Sequence, residues 1–392
     1  MNNQSRSVIF QTLRPSSLPK SFLVFAAIMI AASWPRLVSA QQAEVKTENG
    51  VRIVRNPATP VKGPDGKAAA VSIVEDLVIG EDTSREDHWF GFLNAMDVDA
   101  AGRIYTVDPK SVRIRIFGPD GRLVKAFGRK GQGPGEFSGP GGIVAAPDGT
   151  FIVADVLNAR LSYFSRDGAH LKYTLFGTKR IAGLAVDSRS DLYIIRTEMP
   201  QNGRQDWELV KCGPDLKLMR SVKAISIPFL GRIFNAIPER LFFGLAGDDR
   251  LAWMVSSDYA IQVEDASGKP VMRVLRERQP RKITDKDKAL IISRTFPGGA
   301  PPDLEADFPE VLPAASGLMI DEKGRIFVRT YETDGKGGAA VDVFDTSGLY
   351  VARFSVPEGE DTIAVRNDKL YVIVRESASG NPLVKRYALV WK

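Results

Sequence analysis

The chain has 392 residues with 53 basic and 47 acidic side chains, a formal net charge of +6. The first forty residues contribute four basic residues and no acidic one, so the remainder is nearly neutral at +2, without the basic stripe typical of nucleic-acid binding. The single cysteine, Cys212, excludes an internal disulfide, and two histidines exclude a three-histidine zinc site within one chain.

The N-terminus has the pattern of a secretory signal peptide. Basic residues precede a 13-residue apolar run over residues 21–33, and Val38 and Ala40 are small residues at the positions that determine cleavage. The run is shorter than the roughly 20 residues that span a membrane. We therefore predict cleavage after Ala40 and a periplasmic or extracellular mature protein, with an uncleaved membrane anchor as the alternative.

Six similar units occupy most of the remaining chain, and each reads as four short antiparallel strands. The strands are alternating β-branched and aromatic runs, separated by turn pairs such as Asp120–Gly121 and Asp148–Gly149. Each unit is about 40–45 residues long, which is the size of one propeller blade. The first strands of the six units open at Met96, Gly142, Gly183, Phe243, Gly317 and Thr362.

A glycine-rich crossing leads into the second unit, and a polar set follows the next strand: Gly131, Gly133, Gly135, Phe137, Asp155, Asn158 and Arg160. This combination resembles the NHL repeat of β-propellers, and the resemblance covers residues 70–392. It implies an exported bacterial propeller in which Asp155, Asn158 and Arg160 form a strut that fixes the next loop. A dinucleotide-binding loop is not favoured, since prolines and a strand follow these glycines where such a loop needs a helix N-terminus.

The last unit lacks one strand, which the run Val71–Gly80 near the N-terminus can supply. The predicted fold class is therefore all-β, a six-bladed β-propeller of four-stranded antiparallel blades, closed by an N-terminal strand that joins the last blade. Closure removes the free sheet edges that favour aggregation. A seventh blade, built partly from residues 44–66, is the alternative.

The predicted domain organisation has three parts: a signal peptide at 1–40, an N-terminal extension at 41–69 and a single NHL-type propeller domain at 70–392. The largest insertion, residues 281–315, lies between the fourth and fifth blades. A capping box that begins at Thr284 predicts a short helix within it. A helix over the ring mouth could act as a lid or docking element, or only fill the space between two blades.

Length variation is concentrated on one rim of the predicted ring. The loops between second and third strands, and the crossings between blades, carry nearly all the insertions, and such loops often bind ligands. The arginines on this rim could bind a carboxylate or phosphate, or pair with the nearby Glu198, Glu332 and Glu376. The aromatic side chains could stack on sugars or peptide side chains. The candidate ligand-binding residues are His88, Trp89, Arg196, Arg329, Tyr331 and Arg375.

The chain has no nucleophile elbow, H-E-x-x-H motif or EF-hand loop. We therefore predict a non-catalytic binding or scaffolding module without a cofactor, whose partner is a protein, peptide or glycan and not a nucleic acid. The alternative is a metal-dependent hydrolase or lyase, similar to six-bladed lactonases, with calcium held by scattered carboxylates at the channel mouth. NHL-like lyases that process peptidyl-hydroxyglycine look to depend on several zinc-binding histidines, which this chain lacks.

Overall fold

The computed structural model describes residues 42–63, 66–82, 89–229, 231–296, 298–333, 338–375, 377 and 380–392. The predicted signal peptide and the candidate residue His88 lie outside these residues. Within the described part of the chain, no helix has the length and apolar character that crossing a bilayer requires.

Six sheets of antiparallel strands form the blades of a propeller, as predicted. In each blade strand A lies innermost and strand D outermost, and the A strands of neighbouring blades contact one another around the whole ring. Strands A to D are Ala95–Val98, Ile104–Asp108, Arg113–Phe117 and Leu123–Phe127 in blade 1; Pro140–Ala145, Phe151–Asp155, Arg160–Phe164 and His170–Leu175 in blade 2; Arg180–Val186, Leu192–Thr197, Arg204–Cys212 and Leu218–Pro228 in blade 3; Leu241–Leu245, Leu251–Val255, Ala260–Glu264 and Pro270–Arg276 in blade 4; Gly317–Ile320, Ile326–Thr333, Ala339–Phe344 and Tyr350–Val356 in blade 5; and Glu360–Arg366, Lys369–Val374, Leu383–Trp391 and Val71–Ile79 in blade 6.

The N-terminal strand closes the ring, which confirms the prediction. Val71–Ile79 pairs antiparallel with Leu383–Trp391 along its whole length. Asp76 on this strand forms an ion pair with Arg386 at 2.7 Å and a second with Lys369. Blade 6 therefore combines strands from both ends of the described chain.

Residues assigned to the alternative seventh blade extend blade 4 instead. Glu44–Glu48 and Val51–Asn56 form a hairpin, and its second strand pairs in parallel with Pro270–Arg276. Asn56 then joins blades 4 and 5, because its side chain donates to the carbonyl oxygen of Gly348 at 2.9 Å and accepts from the Tyr350 amide at 2.8 Å. The sheet of blade 4 consequently has six strands.

The inner strands are buried because each blade covers its neighbour. Every residue of the B strands in blades 1 and 2 is buried. Tyr105 of blade 1 packs on Phe151 of blade 2 with ring centroids 4.9 Å apart, and Phe151 stacks on Phe164 at 5.2 Å. Burial of such aromatic rings is a large apolar contribution to stability, and it fixes the blades as a rigid base for the loops at their ends.

Two blade-to-blade crossings share one backbone geometry. Gly80, between blades 6 and 1, and Gly128, between blades 1 and 2, have φ angles of +105° and +104°. A Cβ atom at these positions would come within 2.9 Å and 2.7 Å of a backbone carbonyl oxygen. Both crossings lead to a fully buried phenylalanine, Phe90 or Phe137. Only glycine combines this φ with such a close approach.

A buried polar network joins blades 4 and 5 around Asp342, whose side chain is fully buried. Its carboxylate accepts hydrogen bonds from the hydroxyls of Tyr259 at 2.5 Å and Tyr350 at 2.7 Å, and from Arg353 Nε at 2.6 Å. Arg276 forms an ion pair with it at 3.1 Å and lies over both tyrosine rings. Since Tyr259 and Arg276 belong to blade 4 and the others to blade 5, the network fixes the interface between these blades.

The predicted helix is present between blades 4 and 5. Helix α1 spans Asp285–Thr295, and Thr284 is its N-cap in a complete capping box with Asp287. Arg281 donates to both oxygens of the Asp287 carboxylate at 2.9 Å. These hydrogen bonds from Arg281, with those from Thr284, hold the pKa of the Asp287 carboxyl well below its ordinary value.

A short pair of parallel strands anchors the rest of the insertion. Phe234–Asn235, from the crossing between blades 3 and 4, pairs with Ala306–Asp307. The Phe234 ring also meets Phe296, which ends α1, edge-on at 5.3 Å. The insertion is therefore tied to the crossing beside it.

Candidate functional site

We use "loop-rich face" for the end of the ring that bears the loops between strands B and C and the crossings between blades. The B strands end at this face, and aspartates at two of these ends hold the crossings. The Asp155 carboxylate accepts from the Gly139 amide at 2.8 Å and from Asn158 Nδ2 at 2.6 Å. Asp108 accepts from the Gly91 amide at 2.8 Å in the equivalent place.

Arg160 and Glu136 hold the glycine-rich loop in shape. Arg160 donates to the carbonyl oxygens of Gln132 at 2.6 Å and Glu136 at 2.7 Å. The Glu136 carboxylate accepts from the Gly133 amide at 2.8 Å, and a Cβ atom at Gly131 would lie 2.1 Å from it. The polar groups of this loop thus bond to the loop itself and to blade 2, which is a structural arrangement.

A cleft of about 360 Å³ lies on the loop-rich face between α1 and blades 4 and 5. Helix α1 and the second strand of blade 5 both contribute to its lining. Two ion pairs, Arg281 with Asp287 and Arg294 with Glu358, stand in its lining. The apolar part of the lining comprises Ile237, Phe242, Leu290, Ile291 and Leu312.

Arg329 lines this cleft, and its guanidinium lacks hydrogen bonds to the described residues. Its side chain is 14% exposed, and its guanidinium donates to no described residue. Oδ1 of Asp361 is 3.6 Å from Nη1 of Arg329, beyond hydrogen-bond length. The Asp361 carboxylate already accepts a hydrogen bond from Arg375 Nε at 2.8 Å. Burial lowers the pKa of Arg329, although Asp361 opposes the shift. A buried arginine has five donors to satisfy, so the cleft presents a guanidinium whose hydrogen-bond donors are unsatisfied.

Tyr331 and Arg240 line the cleft beside Arg329. Burial raises the pKa of the Tyr331 hydroxyl, and the positive charges of Arg240 and Arg329 oppose that shift. The guanidinium of Arg240 has no hydrogen-bond partner among the described residues. Sequence reasoning missed Arg240, which lies in an irregular crossing where no periodic pattern gives its orientation.

Within the described residues, the structure does not pair the candidate arginines with the adjacent glutamates that the sequence suggested as partners. Arg196 in blade 3 donates two hydrogen bonds, at 2.7 and 3.0 Å, to one carboxylate oxygen of Glu208, which lies directly across the sheet. Glu198 pairs with Lys179 instead. Glu332 pairs with arginines of the network between blades 4 and 5. Glu376 lies outside the described residues.

The structure therefore brings part of the predicted set together. Arg329 and Tyr331 line one cleft, and Arg375 joins them through Asp361. Arg196 does not line this cleft. Trp89 lies on the crossing from blade 6 to blade 1 and is largely exposed.

The loop-rich face also exposes large apolar side chains, each between 39% and 75% accessible. They lie on crossings and on loops between strands B and C. Periodicity within strands does not predict these positions, because they lie outside the strands. They are Trp89, Phe92, Leu157, Met199, Phe229 and Ile233.

A second cavity of about 650 Å³ occupies the opposite mouth of the ring, where all six blades contribute inner strands or turns. Asp97 lies in its wall and accepts from the Ala145 amide at 2.8 Å. Burial raises the pKa of Asp97, and Arg366 opposes the shift. Across the described residues, no three histidine, cysteine, aspartate or glutamate side chains are grouped so that they could hold a metal.

The fold and site define a six-bladed β-propeller with a charged, partly apolar cleft on its loop-rich face. No family model and no curated protein matches the chain. A predicted exported protein from Bacteroides fragilis is similar in structure, with a TM-score of 0.51 and 10% identity over 86% of this chain and 99% of that one.

Two further solved structures are similar at lower TM-scores. A DUF4221 family member from Bacteroides vulgatus has a TM-score of 0.49 and 12% identity, over 82% of this chain and 98% of that one. Virginiamycin B lyase from Staphylococcus aureus has a TM-score of 0.42 and 11% identity, over 82% of this chain and 100% of that one. At such identities the similarity concerns the fold alone.

Proposed function

We propose that this protein is an exported, non-catalytic binding or scaffolding module that recognises a protein, peptide or glycan through its loop-rich face. The observation that carries the proposal is the exposure of six large apolar side chains on that face, which also bears the cleft. Single exposed apolar residues are ordinary on soluble proteins, but these six lie on the loops of a rigid scaffold, where binding residues are disproportionately found. Aromatic residues such as Trp89 and Phe92 are also enriched at interfaces.

We further propose that the repeats are of the NHL type. The hydrogen bonds from Asn158 and the Gly139 amide to Asp155, and from Arg160 to the glycine-rich loop, support this assignment. Export rests on the signal-peptide pattern that precedes Gln41, and a secreted chain whose mass corresponds to a start at Gln41 would support it.

Protein, peptide and glycan arrays probed with the mature chain test the binding proposal. Met199→Ser with Phe229→Ser removes two exposed apolar side chains from the loop-rich face of blade 3. Leu218→Ser with Met219→Ser is the matched control, because these residues of the same blade are 47% and 58% exposed near its opposite end. We expect the first pair to abolish the array signal and the control pair to retain it.

Equal signals from both double variants would contradict a role for the loop-rich face.

Thermal melts with Ca²⁺, Zn²⁺ and EDTA test the alternative function, a metal-dependent hydrolase or lyase. A ligand that binds the native state raises the melting temperature. A rise with a metal that EDTA reverses would therefore favour the metal-dependent hydrolase or lyase over the non-catalytic module.

A further inference from the structure

We propose that the cleft beside α1 binds the C-terminal carboxylate of a peptide chain that ends in an apolar residue. This inference rests on the proposed binding role of the loop-rich face and names the chemistry that this part of the face recognises. It depends on three observations: an unmatched arginine, a local excess of positive charge and an apolar wall.

The arginine is Arg329. Buried polar groups in folded proteins are almost always hydrogen-bonded, and an exception needs an explanation. The Nε atom of Arg329 is inaccessible and unpaired, and Arg329 lines the cleft. A carboxylate in the cleft would accept two parallel hydrogen bonds from such a guanidinium, which is the strongest common geometry for this pair.

The described side chains around Arg329 include more cations than unpaired carboxylates. Arg240 and Arg329 lie in the cleft wall, and Arg375 lies beside Asp361. Asp361 forms ion pairs with both Arg329 and Arg375, so two cations share one carboxylate, and Arg240 has no acidic partner among the described residues. The other acidic side chains of the lining already have partners: Asp287 with Arg281, Glu358 with Arg294, and Glu332 with Arg276 and Arg353. A bound carboxylate would reduce this excess.

The apolar lining of the cleft determines which terminal side chain the bound peptide can have. Leu290 and Ile291 from α1 and Ile237 and Phe242 from outside the helix all line the cleft. A volume of about 360 Å³ accommodates a terminal residue and part of the one before it, and not a folded domain. The preceding chain would leave over the loop-rich face, whose exposed apolar side chains can receive it. Capture of a chain terminus by its carboxylate is an established mode of peptide recognition.

Calorimetric titration of the mature chain tests the inference. The probe is the N-acetylated hexapeptide Gly-Ser-Gly-Ser-Ala-Leu with a free carboxylate, and its matched control is the same peptide as a C-terminal amide. We expect the free acid to bind about tenfold or more tightly than the amide, since a charge-assisted hydrogen bond is lost with the carboxylate. N-acetylleucine, a small acid with the same terminal group, should bind more weakly than the hexapeptide.

Two variants assign the effect to Arg329. Arg329→Met retains the length of the side chain without its charge, and the free acid and amide should then bind equally. Arg196→Met is the control, because Arg196 lies in the same strand of another blade but is paired with Glu208; it should retain the preference. Circular dichroism melts of both variants show whether they are folded.

Three results would overturn the inference: no binding of the free acid at millimolar concentration, a preference that survives in Arg329→Met, or N-acetylleucine binding as tightly as the hexapeptide. The last result would make a small organic acid the ligand. The array experiment with the variants of Met199 and Phe229 separates this failure from failure of the proposed function. If array binding depends on those residues while Arg329→Met does not alter peptide affinity, the loop-rich face still binds a partner. Only the recognition of a terminal carboxylate by the cleft is then refuted.

Discussion

Replacing Asp342 with asparagine should destabilise the interface between blades 4 and 5. The fully buried Asp342 carboxylate accepts hydrogen bonds from two tyrosine hydroxyls and from Arg353, and it forms an ion pair with Arg276. Asparagine retains the shape but removes the charge, so Arg276 and Arg353 then share Glu332 alone. The net charge of Arg276, Arg353, Glu332 and residue 342 therefore changes from zero to +1, and one positive charge in the network has no acidic partner.

Breaking a buried ion pair by removing one partner costs about 3–5 kcal/mol. Because the asparagine oxygen still accepts a hydrogen bond, we expect the lower end, about 3 kcal/mol. Unfolding entropy is about 2 cal/mol/K per residue, so over roughly 350 residues this loss lowers the melting temperature by about 4 °C. Urea denaturation followed by tryptophan fluorescence measures the free energy, and differential scanning calorimetry measures the temperature.

Asp167→Asn is the matched control, because Asp167 is 84% exposed and pairs only at the surface with Arg103. Its effect should stay within about 0.5 kcal/mol. Adding Arg276→Met to Asp342→Asn removes the excess charge, so part of the lost stability should return. If Asp342→Asn costs no more than the Asp167 control, or if Arg276→Met adds a full further loss, the electrostatic reasoning is refuted.

Four further outcomes are expected. Arg329→Met should leave the free energy of unfolding unchanged or raise it by up to about 1 kcal/mol, because an unmatched buried charge is removed; a clear loss in urea denaturation would make Arg329 structural. Gly128→Ala should cost about 2 kcal/mol or more through backbone strain and a carbonyl clash, whereas Gly177→Ala, at φ +68° in open space, should cost less in the same assay. Thr284→Ala should weaken α1 by about 1 kcal/mol, seen as faster amide hydrogen exchange over residues 285–295. The lowered pKa of Asp287 stabilises α1 fully above the unfolded value of about 3.9, so in the wild type protection should fall as pH drops below about 4 and stay constant between pH 5 and 7; protection that rises on acidification would contradict this.

The blades and the ring closure could be predicted from the sequence because their signals are local. Turn pairs and alternating strands recur at a fixed period, and the shortage of one strand in the last unit indicated a partner elsewhere. The hairpin at residues 44–56 could not be placed in this way. Its strand Val51–Asn56 pairs in parallel with Pro270–Arg276, and no nearby residue pattern specifies a partner so distant in the chain.

The candidate site was only partly predictable for a similar reason. Arg196 and Arg329 both lie in a B strand, yet the residue opposite each on the neighbouring strand differs. Arg196 faces Glu208 and is neutralised, whereas Arg329 faces Val341 and is not. Cross-strand register decides which arginine remains available, and register depends on loop lengths that a single sequence does not reveal.

The shared sheet of blade 6 has a consequence for the order in which the protein folds during synthesis. Blades 1 to 5 each draw strands A to D from one continuous stretch, so they can form as the chain lengthens. Val71–Ile79 is made early, yet its partner Leu383–Trp391 is the last strand of the described chain. Until that strand emerges, the early strand has an unpaired edge that a second nascent chain can occupy. The closing step is therefore the stage at which misassembly between chains competes with completion of the ring.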